Sequence, residues 1–162
     1  MGRPRPYTPQ MTAVAEGRGE GAVRRYLVVA NLTLGGEHLR DKVRACLAAG
    51  PSRFHIVVPA TPPQDSLTWT EEAASAAAQD RLAEALRRFG ELGADVDGEV
   101  GSHQPLDAIA VGLDRGPFDE IILSTLPAGA SRWLKMDLPH RVERSFGLPV
   151  THVQAEEHPA MH

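Results

Sequence analysis

The stretch "VVANLTLGGEHL", residues 28–39, runs from a β-branched apolar segment through Asn31 and the Gly35-Gly36 pair into a segment with helical spacing. A strand handing over to a helix in this way is the opening unit of an α/β sheet, and it leaves a loop at the carboxyl end of the strand. Whether that loop borders a ligand depends on which other strand ends beside it. The rest of the chain supplies the candidates.

"RYLVVAN" (25–31), "FHIVVPA" (54–60) and "FDEIILST" (118–125) are short, nearly continuous Val/Ile/Leu runs of the kind buried on both faces of a parallel sheet. "ADVDGEVG" (94–101) and "PVTHVQ" (149–154) are more polar, as edge strands are. Helical spacing fills the intervals. Leu39, Val43, Cys46 and Leu47 share a face, as do Leu82, Leu86, Phe89 and Leu92 in "TEEAASAAAQDRLAEALRRFGELG" (70–93). Leu106, Ile109, Ala110 and Leu113 repeat the pattern, followed by Leu138, Val142 and Phe146. Gly50, Gly93, Gly116 and Gly147 stand just past these helices, where a left-handed cap costs glycine least. The alternation β-α-β-α-β-α-β-α-β predicts an α/β fold, a five-stranded parallel sheet with helices on both faces, because parallel crossovers are right-handed. With strands ordered 3-2-1-4-5, the order reverses between the first and fourth strands, and the ligand crevice lies at their carboxyl ends, Asn31 and Ser124-Thr125.

Composition bounds the class of protein. A chain of 162 residues with 42% hydrophobic content suffices for one domain and one core. Residues 1–23 mix Pro, Gly, Arg and Glu without apolar period and are expected to be a flexible arm, residues 24–154 the α/β domain, and residues 155–162 a flexible tail. A net charge of −4, with no dense Lys/Arg block, argues against a nucleic-acid or anionic-membrane binder. Cys46 is the only cysteine, so one chain builds neither a disulfide framework nor a cysteine zinc site. No apolar run approaches the roughly 20 residues that span a bilayer, and "MGRPRPYTPQ" lacks a signal-type hydrophobic segment, so a soluble cytoplasmic protein is expected. The seven histidines are scattered over different elements, which gives no metal-ligand spacing. There is no nucleophile elbow, Walker-type loop or Cys-His pair, so no catalytic residue is assigned.

The segment "IILSTLPAGASRWLKMDLPHRVERSFGLPVTHV" (121–153), taken with "YLVVANLTLGG" (26–36), resembles the universal stress protein family, and within it a divergent actinobacterial branch. The resemblance covers about residues 24–154 and implies a 3-2-1-4-5 sheet, a cytoplasmic stress-response role, homodimerisation through the last strand and, in many members, ATP binding. ATP-binding members carry Gly, two residues, Gly, nine residues, then Gly-Ser or Gly-Thr after the fourth strand, so that backbone amides and a helix N-terminus meet the phosphates. Here Ser124, Pro127, Asp137 and Leu138 occupy those four positions. Pro127 has no amide hydrogen to donate. Asp137 puts a carboxylate where a triphosphate would lie, and two unit charges about 4 Å apart repel by roughly 4 kcal/mol at an effective dielectric of about 20.

The residues left to hold a ligand are Ala30, Asn31, Val58, Ser124, Thr125, Gly129, Ser131 and Arg132, with hydroxyls at 124, 125 and 131, amides around Gly129, and charge from Arg132, Lys135 and Arg141. Each also has a structural reading. Asn31 stands where family members place an Asp beside the adenosine, and Asn after a strand is equally a turn former. Asp137, followed by Pro139, fits an N-cap of the last helix. Val58 is a core strand residue whatever binds. Trp69 lies in the loop after the second strand, where the two readings are that it covers the crevice or packs under its own loop, and Trp133 is expected to pack. Three functions follow in order: a non-catalytic binding module for an adenine nucleotide or other small anion, with no fixed cofactor; a ligand-free dimeric interaction protein with a closed crevice and an unknown protein partner; and, last for want of a base, a nucleotide hydrolase.

Overall fold

Five parallel strands, β1 (Arg24–Val29), β2 (Ser52–Pro59), β3 (Asp95–Gly101), β4 (Glu120–Thr125) and β5 (Val150–Gln154), form one sheet in the order β3-β2-β1-β4-β5. The computed structural model describes residues 22–61, 70–127 and 131–155. Trp69, Gly129 and all but the last two residues of the expected amino-terminal arm lie outside them, as does the tail beyond Ala155. Among the described residues no helix is long and apolar enough to cross a membrane.

Period-two burial explains why the central strands read as unbroken apolar runs. Tyr26, Val28, Ala30, Phe54, Ile56 and Val58 face the helices α1 (Glu37–Ala49) and α2 (Glu71–Glu91), burying Leu39, Val43, Leu82 and Phe89 between them. Leu27, Val29, Val57, Ile121 and Leu123 face the other side, where α3 (Pro105–Leu113) and α5 (Leu138–Phe146) bring Ile109, Leu138 and Val142. Thr70 starts α2 by accepting the Ala73 amide at 3.0 Å, an N-cap that satisfies one orphan donor of the first turn. The four glycines expected past the helices all have positive φ, and Gly147 is the left-handed cap of α5, its amide donating to the Glu143 carbonyl at 3.0 Å.

Three details differ from the sequence pattern. β1 ends at Val29, two residues early, because the chain turns at Asn31, whose carbonyl accepts the Leu34 amide at 3.1 Å. β4 begins at Glu120 because Asp119 is held in a separate contact, exchanging bonds with the Arg25 backbone. A short helix, α4 (Arg132–Lys135), precedes α5 and carries Trp133 into the second core, at 8% exposure. Its four residues are too few to show a period.

Candidate functional site

β1 and β4 are neighbours, with Val29 opposite Leu123, yet β1 leads to a helix on one face of the sheet and β4 to helices on the other. The chain therefore leaves their carboxyl ends toward opposite faces, the arrangement at which strand order places a ligand crevice. Buried hydroxyls bridge it. Thr33 Oγ1, on the loop after β1, lies 2.6 Å from Ser124 Oγ in β4, and the two residues are 8% and 2% exposed. Beside this bridge, Asn31 Nδ2 donates to the Pro59 carbonyl at 2.8 Å, tying the end of β1 to the end of β2. Arg81, half-buried on α2, donates from Nη1 to Asn31 Oδ1 at 2.8 Å and brings a guanidinium to the strand ends.

Of the residues expected to hold a ligand, Asn31 and Ser124 meet in this cluster. Ala30, just past β1, and Val58 in β2 are fully buried, and the Ala30 amide donates to the Val57 carbonyl at 3.3 Å. Thr125 turns toward β5, where its Oγ1 lies 2.8 Å from His152 Nε2. Partial burial pushes the His152 ring toward its neutral form, which can accept the Thr125 proton. Ser131 caps α4, its Oγ accepting the Leu134 amide at 3.1 Å, so this hydroxyl is engaged locally. Arg132 is exposed, and Gly129 lies outside the described residues.

Asp137 stands at the N-cap position of α5 without capping it. An N-cap side chain reaches back to the second or third amide from an extended backbone, whereas Asp137 is left-handed, with φ 57° and ψ 41°. Its Oδ1 instead lies 3.1 Å from His140 Nδ1. It is the one non-glycine residue with positive φ among those described, at the position where ATP-binding family members carry glycine.

Two residues of the crevice cluster, Thr33 and Arg81, escaped the sequence reading. Arg81 follows Ala74 and Ala78 at helical spacing, which puts it on the sheet-facing side of α2, and that is the signal that could have found it.

A second polar cluster lies toward the other end of the sheet. Asp95, Asp97 and Glu99 alternate along β3 and meet Arg53, His55 and Val57 of β2 in register. Arg53 Nε pairs with Asp95 at 3.0 Å; His55 Nδ1 lies 2.8 Å from Asp97 and its Nε2 2.7 Å from Glu99; Arg115 clasps both Glu99 oxygens at 2.6 and 2.9 Å. The histidine nitrogens touch the carboxylates directly, too close for a metal ion to sit between them at ordinary bond lengths of about 2 Å on each side. The Arg115 hydrogen bonds, helped by His55, lower Glu99 from 4.5 to about 2.

A parallel sheet whose strand order reverses, with buried polar groups at the reversal point, defines a doubly wound α/β domain. Within that class the chain has the universal stress protein fold. A solved universal stress protein in complex with cAMP superposes with a TM-score of 0.57 at 19% identity, over 82% of this chain and 98% of that one. A universal stress protein from Archaeoglobus fulgidus superposes with a TM-score of 0.55 at 15% identity, over 83% and 96% of the two chains. No protein-family model and no curated protein matches the chain.

Replacing Ser124 with Ala leaves the buried Thr33 hydroxyl without its partner, so equilibrium denaturation should show a loss of about 1–3 kcal/mol. The Thr33→Val/Ser124→Ala double variant should lose less than the sum of the singles, since neither orphan remains. For Glu99 the folded value lies below the unfolded one, so its contribution is full above pH 4.5 and fades as the pH falls toward about 2. Glu99→Gln should flatten that part of the stability curve, measured by thermal melts across this range.

Proposed function

We propose that the chain is a non-catalytic regulatory module of universal stress type that takes a small anionic ligand, a nucleotide with a single phosphate, at the β1/β4 strand ends. The observation that carries this reading is the Asn31–Arg81 pair, which sets an arginine fork at the crevice. A guanidinium there supplies a phosphate with charge-assisted donors. Pro127 and Asp137 weigh against a triphosphate in the pose of ATP-binding members, one by its missing amide and the other by its exposed carboxylate. The cAMP complex of a structural neighbour is in keeping with a ligand of this size.

Absence of turnover is part of the proposal. Ser124 is partnered by Thr33 and Ser131 by an amide, neither of them a base. Thr125 does face a histidine, but no described residue bonds the His152 Nδ1 atom to orient the ring. We also assign the module to the cytoplasm and to a homodimer formed through the open edge of β5. On that strand the Ala155 amide and the Pro149 carbonyl bond to β4, so odd-numbered residues point inward and Val150, His152 and Gln154 present their backbone groups to the edge.

A second reading rests on the 2.6 Å Thr33–Ser124 bridge, which spans the crevice and favours a ligand-free interaction protein acting through its dimer.

A thermal-shift panel decides between the two readings. AMP and cAMP should raise the melting temperature, by the equivalent of about 2.7 kcal/mol at 100 times the dissociation constant. ATP with magnesium should not, and Arg81→Gln should abolish the response. A panel without any shift leaves the ligand-free reading. Proline at Gln154 should give monomers by size exclusion with light scattering, because it removes an outward donor and leaves the β4 ladder intact.

A further inference from the structure

We infer that Arg25 forms a second binding site, for a small monocarboxylate with a short apolar stem, at the opposite end of the sheet from the crevice. Arg25 enters a half-open pocket of about 40 Å3 between the amino-terminal ends of β1 and β2 and the turn that follows α3. That volume takes about three water-sized groups, enough for a carboxylate head. Phe118, whose ring lies beside His55, gives it an apolar wall, and Arg53, His55 and Arg115 complete the polar side.

Charge pairing singles out Arg25. The three carboxylates of β3 each have a side-chain partner: Asp95 meets Arg53, Glu99 meets Arg115, and Asp97 meets His55, whose two ring nitrogens lie between Asp97 and Glu99. Asp119 is also near, but its carboxylate accepts the Arg25 backbone amide at 2.9 Å, not the guanidinium. Arg25 forms no ion pair among the described residues, and its Nε is buried without an acceptor there. A buried donor left without an acceptor costs free energy, and a carboxylate against the guanidinium supplies one in the geometry the fork matches best. Asp97, which also lines the pocket, sets the charge of the ligand: it disfavours a dianion more than a monoanion. The Phe118 wall sets the stem.

The test is a titration of the full-length, 15N-labelled protein with sodium propionate, read at the arginine Nε–Hε signals, with sodium chloride at equal ionic strength and sodium phosphate in parallel. Propionate should move the Arg25 signal to saturation while chloride does not, and butyrate should bind about fourfold more tightly than propionate for its added methylene. Arg25→Gln should lose the saturable response in melting temperature. Phe118→Leu, which keeps the guanidinium, should weaken binding and flatten the chain-length trend. A response shared with chloride, tighter binding of phosphate than of propionate, or a Phe118→Leu variant with unchanged affinity and trend would each overturn the assignment. Because the site lies at the opposite pole, its failure leaves the nucleotide reading untouched, and the converse holds.

Discussion

Polar groups at the carboxyl ends of β1 and β4 are buried at the one place where the strand order reverses, and burial obliges each of them to find a partner. The Thr33–Ser124 bridge meets that requirement across the gap, and Asn31 meets it sideways to Pro59 and Arg81. These bonds fix the loop after β1, and with it the start of α1, relative to three strand ends and α2. Under the proposed function, a ligand at these strand ends would have to compete with hydrogen-bond partners already in place.

The segment after β4 carries the departure from the ATP-binding pattern that the sequence resemblance brings in. Asp137 has the left-handed backbone that glycine adopts at no steric cost, so the chain keeps a turn of glycine type while adding a carboxylate to it. Asp tolerates this conformation better than most side chains do, and the His140 contact gives its oxygen a partner. The substitution is thus cheap for the fold and costly for a triphosphate.

At the other pole, an acidic edge strand is held against a basic neighbour. Strand β3 would expose three carboxylates along one face, and β2 answers with Arg53 and His55 in register while Arg115 reaches Glu99 from the turn after α3. Charge on an edge strand also discourages pairing with other chains, which leaves β5 as the edge free to associate. The β3 acids are paired inside the cluster, and the Arg25 Nε beside Phe118 is left without an acceptor among the described residues.

Hydrophobic period determined the alternation of strands and helices, while the strand order came with the family resemblance. Continuous runs such as Val28-Val29 and Ile121-Ile122-Leu123 become buried parallel strands because they suit burial on both faces, and the spacing of Leu39, Val43 and Cys46 commits their segment to a helix. The closing segment 121–153 also carried the likeness to universal stress proteins, which the fold bears out. Partners across elements were not legible, since nothing local couples Thr33 to Ser124 or Arg25 to Phe118, separated as they are by most of the domain. Local chemistry misled at Asp137, where composition promised a helix cap and the backbone conformation aimed the side chain elsewhere. Which face each element presents follows from its own residues, but which polar atoms meet depends on how strands from distant parts of the chain stand side by side, and only the assembled sheet decides that.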